Sequence, residues 1–211
     1  MSTGIVEEPG RAKSFDDGRV RFNALAVLED VRLGDSNAVS GCCPTVVSSG
    51  DDWWQADVSA ETVARKSFVP HAAGDPVTFE RAVRMQDCVG GHLVQGHVDA
   101  VGAIVEPVPD LRVRVRAGLM PYLVEKGSLT VDGVSLTVVT PLFDGFTVAI
   151  IPHTSAVYTA GHEQLGDFVN IEVDLIAKHV ERMLTPHLTN TASTVRVTGG
   201  HRFLSPREVD G

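Results

Sequence analysis

An all-β fold of two small barrels in tandem is predicted by three observations on this 211-residue chain. The first is a repeat: "VSGCCPTVV" at 39–47 returns as "VDGVSLTVV" at 131–139. The same 92-residue offset pairs Gly4 with Gly96, Val6 with Val98, Ser36 with Ser128, Thr62 with Thr154, Val77 with Val169 and Glu80 with Glu172. A register kept without a gap over roughly 80 residues marks a duplicated domain, its period too long for a solenoid. The second observation is that each copy is written in short segments rich in β-branched residues. The third is the close spacing of turn signals, Asp17-Gly18, Gly34-Asp35, Asp132-Gly133 and Asp144-Gly145, which favours antiparallel strands closing into small barrels.

The first copy takes residues 1–94, with strand candidates "RVRFNALAV", "NAVSG", "PTVVSS", "WWQADVS" and "DPVTFERAV". The second takes 95–173, with "LRVRVRA", "SLTVDG", "SLTVVT", "FTVAIIP" and "DFVNIEVD". Of Trp53 and Trp54, at least one belongs to the core. "PYLVEKG", opening on Pro121 and closing on Gly127, has the punctuation of a short helix. Asp174 is a suitable N-cap for an amphipathic helix over 174–185, with Ile176, Val180, Met183 and Leu184 on one stripe and Lys178, Glu181 and Arg182 elsewhere. That stripe needs a surface to cover, in this chain or in a neighbour. Residues 186–211, polar with scattered Gly and Pro, are expected to be a flexible tail.

Bulk composition narrows the function classes. The chain contains no apolar run long enough to span a membrane, and "MSTGIVEEPG" has neither the basic start nor the apolar core of a secretory signal, so a soluble cytoplasmic protein is expected. A net charge of −9 disfavours nucleic acid and anionic lipid as partners. Cys42, Cys43 and Cys88 form an odd, partly adjacent set that suits a reducing compartment and lacks a C-x-x-C pair. His92 and His97 are five residues apart, wrong for one helical face, and have no evident third ligand; no metal is expected. "GGHLVQG" lacks the spacing of a dinucleotide loop.

Strand alternation assigns the repeated segment two faces. Val134, Leu136 and Val138 share one, and Ser135 and Thr137 the other; in the first copy Cys42, Pro44 and Val46 oppose Cys43 and Thr45. Each copy thus presents a small hydroxyl or thiol pair, which either faces water or lines a slot for a flat ring at the barrel mouth. Recurrence of the same Thr in both copies favours the slot. Cys43 by itself, with no activating neighbour in the pattern, has the character of an inert buried thiol.

At "GGHLVQGHVD", followed by "VEKGSLTVDGVSLTVV", "IPHT" and "VNIEVDLIAKHVER", the chain resembles the riboflavin synthases of the α type, and "TGIVEE" and "GDSNAVSGCCPTV" extend the resemblance over about residues 1–185. It implies two Greek-key barrels, a homotrimer joined through its terminal helices, and dismutation of two 6,7-dimethyl-8-ribityllumazine molecules to riboflavin and 5-amino-6-ribitylaminouracil, with no metal or redox cofactor. Carried over by motif, the first site takes Gly4, Ile5, Val6, Cys43, Pro44, Thr45, Asp57, Val58, Ser59, Ala60, Glu61 and Thr62. The second takes His97, Lys126, Ser135, Leu136, Thr137, Ile151, Pro152, His153 and Thr154. Ser36, Cys43, His97, Ser135 and Asp174 fall at the positions associated with catalysis. The chain departs from the pattern at Ser2, usually aromatic, and at Ser40 and Pro44; Pro44 removes one backbone N–H from the strand that would hold the ring. These departures leave open an alternative, a diverged relative that binds a lumazine or flavin without dismutation, or couples a lumazine to another substrate in a specialised biosynthetic pathway.

Overall fold

The computed structural model describes residues 1–16, 18–58, 73–157 and 164–195. The first copy forms six strands: β1 (Glu8–Asp16), β2 (Arg19–Asn23), β3 (Asn37–Val39), β4 (Val46–Ser49), β5 (Trp53–Asp57) and β6 (Pro76–Arg81). The second forms seven: β7 (Ala100–Glu106), β8 (Asp110–Arg114), β9 (Ser128–Val131), β10 (Val134–Thr137), β11 (Thr140–Leu142), β12 (Gly145–Ala149) and β13 (Phe168–Val173). Strand order is β3-β6-β1-β2-β5-β4 in one sheet and β10-β9-β13-β7-β8-β12-β11 in the other, so the second repeats the first and adds β10 at its edge. Even the irregularities repeat, since a bulge falls between Ala12 and Ser14 in β1 and between Ile104 and Glu106 in β7.

Each sheet curls until its edges meet. In the first copy Val46 donates to the Asp35 carbonyl and accepts from the Gly34 N–H; in the second Val138 does the same with Gly127 and Lys126. Gly34 and Lys126, 92 positions apart, both hold a positive φ, 90° and 64°. The two cores are separate. One gathers Phe22, Trp54 and Phe79, with ring centroids 4.8 to 5.9 Å apart, and the other is built on Ile104, Leu111, Val113, Leu129, Phe146 and Ile171.

Several expectations are corrected. Neither β1 nor β7 is foreseen, although each lies in the middle of its sheet. Gly10 and Gly102 interrupt the β-branched pattern because a side chain from a neighbouring strand occupies the space a Cβ would need: Phe79 over Gly10, Val113 and Ile171 over Gly102. The helix expected at "PYLVEKG", 121–127, does not form: a 3-10 turn, Ala117–Tyr122, takes in only its first two residues, with Pro121 inside it. The strand expected through Pro152 stops at Ala149, and Pro152 opens a short helix, α1 (Pro152–Val157), where its missing N–H is harmless. The terminal helix, α2 (Leu175–Val195), runs ten residues past its expected end at 185, into the segment expected to be tail. The rest of the expected tail, 196–211, lies outside the described residues.

Residues Met1–Leu175 form one compact unit and Ile176–Gly211 a second. Ile176, Val180, Met183 and Leu184, the predicted apolar stripe, are all exposed. None of the helices among the described residues is long and apolar enough to cross a membrane.

Candidate active site

The repeated segment behaves as its alternation predicts except at Pro44, which was expected on the buried face. Val134, Leu136 and Val138 are buried, Ser135 is half-buried and Thr137 exposed; Cys42 and Val46 are buried while Cys43 and Pro44 are half-buried and Thr45 exposed. Burial pushes the Cys42 thiol up to about 12, so the inert thiol is Cys42 and the accessible one its neighbour. In the second copy β10 pairs with β9 through Val134, Ser135, Leu136 and Thr137. In the first only two isolated bridges survive, Val39 to Cys42 and Ser36 to Thr45. The Pro44 carbonyl still accepts from the Asn37 N–H at 3.3 Å, but Pro44 has no N–H to return, and the ladder lapses between the bridges.

Each segment also takes a partner from the opposite barrel. The Ser135 N–H donates to the Gly4 carbonyl at 2.7 Å, and the Cys43 N–H donates to the Gly96 carbonyl at 3.1 Å. Val6 packs on the second core and Val98 on the first. The sequence motifs group Gly4 and Val6 with Cys43; the fold lays Gly4 and Val6 on the second barrel and brings Gly96-His97 to Cys43. The two arms, 2–6 and 94–98, meet each other where Ser2 and Val94 exchange both backbone hydrogen bonds, at 2.8 and 3.0 Å. Gly4 and Gly96 allow the crossing: both have φ near +77°, and a Cβ on Gly4 would lie 2.6 Å from the Ser135 Cβ.

A buried glutamate anchors each arm. Glu172 is 2% exposed and accepts from the N–H groups of Gln95, Gly96 and His97 at 2.9, 2.9 and 3.0 Å. Glu80 accepts from the N–H groups of Thr3 and Gly4 and from the Thr3 hydroxyl at 2.7, 3.0 and 3.1 Å. Burial raises the Glu80 carboxyl above its usual value, and the donors of Thr3, Ile5 and Gly4 oppose that rise.

Other predicted residues fall around these two strands. Ser36, half-buried, lines a cavity of about 850 Å³ in the first barrel together with Thr3, Ile5, Asn37, Glu80 and Arg81. Asp57 ends β5 in an ion pair with Arg19 at 2.8 Å, and Val58 is buried in the first core. Ser59, Ala60, Glu61 and Thr62 lie outside the described residues. His97 is exposed; Lys126 sits at the foot of the β9–β10 hairpin, its N–H donating to Val138. Ile151 is exposed, and Pro152, His153 and Thr154 form the first turn of α1.

One residue of the site was set aside at the sequence level. His92 Nδ1 lies 2.8 Å from the Ser135 hydroxyl oxygen. Burial lowers the imidazole's pKa, and the Asp174 carboxylate opposes that shift. Spacing to His97 was the wrong signal, because the partner of His92 is 43 residues away on a strand that folding brings to it.

Comparison with known proteins places this geometry. The lumazine binding domain model matches twice, at residues 3–82 and 95–174. A riboflavin synthase of Actinobacillus pleuropneumoniae is 42% identical over 193 residues, covering 87% of this chain and 90% of that protein. One of Mycobacterium bovis is 43% identical over 197 residues, 87% and 98% of the two chains. Among solved structures, LumP complexed with riboflavin superposes with a TM-score of 0.69 at 24% identity, over 82% of this chain and 99% of that one, a likeness of fold. Two lumazine binding domains in one chain and close relatedness along most of its length make it a member of the riboflavin synthase family.

Proposed function

We propose that this chain is an enzyme that dismutates two molecules of 6,7-dimethyl-8-ribityllumazine, moving a four-carbon unit from one to the other to yield riboflavin and 5-amino-6-ribitylaminouracil. The observation that carries the reading is 42–43% identity to riboflavin synthases across both repeats. The duplication supports it chemically: two identical substrates call for two similar slots, and the chain has two quasi-equivalent strands with short polar side chains on their open faces.

The reaction requires one lumazine to lose a proton from its C7 methyl group, whose carbanion delocalises into the ring, and the other to be attacked on its ring. Ser135 and Thr137 face the donor ring, with Lys126, Ile151, Pro152, His153 and Thr154 around it; Cys43, Pro44 and Thr45 face the acceptor with Ile5. Ser36 and His97 relay protons, and Asp174 serves the second slot. Donors fixed before the substrate arrives stabilise the developing anion without reorganising, and stacking two rings face to face supplies proximity. The exposed stripe on α2 supports self-association, and a homotrimer is the assembly we assign to it. Cys43 and Cys88, as thiols, fit a reducing cytoplasm.

Mixing the protein with the lumazine and identifying products by absorbance and mass tests the reading. Riboflavin and the pyrimidine in equal amounts are expected. Tight binding with no riboflavin would overturn dismutation in favour of a binding protein, the reading that the interrupted ladder at Pro44 favours.

A further inference from the structure

The chemistry of the second slot turns on how a serine hydroxyl, ordinarily a very weak base, could receive a proton from carbon. Ser135 stands half-buried at the pseudo-two-fold contact, with Gly4 against its backbone and Gly91 closely packed on its side chain. His92 follows Gly91, and its own N–H is tied to the Thr3 carbonyl at 3.1 Å, which fixes the ring at 2.8 Å from the Ser135 oxygen. The anchored arm of the first copy, the Gly91-His92 turn and strand β10 therefore converge on one hydroxyl.

We propose that His92 is the positioning residue of Ser135: as the neutral tautomer protonated on Nε2, it accepts the hydroxyl hydrogen on Nδ1 and turns the free lone pairs of the oxygen toward the slot. The inference rests on the donor assignment made above. In the step it serves, the C–H bond of the C7 methyl group breaks and its electron pair passes into the pteridine ring. The proton goes to Ser135 Oγ while the serine's own proton moves to His92 Nδ1. The resulting imidazolium is stabilised by Asp174, the charged group that acts on it, and the proton returns by the same route when the chemistry is complete. Burial keeps the imidazole neutral, hence competent, to below its ordinary pKa of 6.5. The structure thus assigns different chemistry to the twin positions: a hydroxyl coupled to an imidazole at 135 and a thiol at 43.

The test separates this step from complete turnover. Exchange of the C7-methyl protons of 6,7-dimethyl-8-ribityllumazine into D2O, followed by proton NMR, reports deprotonation whether or not riboflavin forms. The full chain is expected to accelerate exchange above the spontaneous rate, with a loss of rate on the acid side below pH 6.5. His92→Ala and Ser135→Ala should each slow it by about 10²-fold, the scale of a lost acid–base partner, and the double variant should be no slower than either. His92→Asn keeps a hydrogen-bond acceptor near Nδ1 but cannot take the proton; its rate should stay low and its acid limb disappear. Far-UV circular dichroism and a thermal melt like those of wild type certify that each variant is folded. Exchange without riboflavin would sink the dismutation and leave His92 in place. A wild-type rate in His92→Ala, recovery in His92→Asn, multiplicative losses in the double variant, or no accelerated exchange by the wild type would each overturn the role of His92.

Discussion

At the residue scale, the pseudo-two-fold contact leaves no room for substitution. Gly41 and Gly133 hold φ of 79° and 82°, and a Cβ on Gly133 would lie 2.7 Å from the Gly41 nitrogen. Gly133→Ala should therefore lose about 2 kcal/mol or more, the left-handed conformation alone accounting for 1–2; urea unfolding measures it. Glu172→Gln sets an amide N–H against one of three backbone donors in a dry site and should destabilise by about 2–3 kcal/mol. Glu80 has a pH signature. Its folded pKa lies above the usual 4.5, so the native state binds the extra proton, and its contribution to stability is greatest at low pH and declines as pH rises through the raised value. The difference in unfolding free energy between wild type and Glu80→Gln should accordingly fall as pH rises above 4.5. A flat or rising difference would mean that hydrogen bonding from Thr3 and Gly4 outweighs burial.

At the scale of elements, Pro44 makes the two copies unequal. Pro44→Leu restores the N–H that can donate to the Asn37 carbonyl. The gain of one hydrogen bond, about 0.5–1.5 kcal/mol, is offset by the looser unfolded chain, about 0.4–1 kcal/mol. Stability should stay within about 1 kcal/mol of wild type, while hydrogen exchange of the 36–45 hairpin slows markedly; unchanged exchange would mean that the break has another cause. This lapse was foreseeable from the sequence, because a proline N–H is missing whatever the fold. Strands β1 and β7 were not foreseeable, because Gly10 and Gly102 resemble turn residues until Phe79, Val113 and Ile171 are seen filling the space above them. The 3-10 turn at Ala117–Tyr122 and the opening of α1 at Pro152 likewise turn on local geometry that the letters share with other outcomes.

On the scale of the whole molecule, the barrels are interlocked rather than strung together. Ser2 pairs with Val94, the Asn170 side-chain amide donates to the Ser40 carbonyl at 2.8 Å, and the Thr78 hydroxyl donates to the Asp132 carbonyl at 2.9 Å. Deleting residues 1–6 should lower stability by several kcal/mol, because Glu80 is left buried with its backbone donors gone. Calorimetry should find the second barrel destabilised along with the first, since Val6 and Gly4 belong to its surface; melting of the first barrel alone would argue against the interlock. The repeat, the two faces of each twin strand and the family are properties of the sequence by itself, because periodicity and identity survive in one dimension. The exchange of arms, the glutamate anchors and the meeting of His92 with Ser135 are decided only by the tertiary structure. They join residues far apart in sequence, the anchors within one barrel and the other contacts between the two, and no local pattern carries that information.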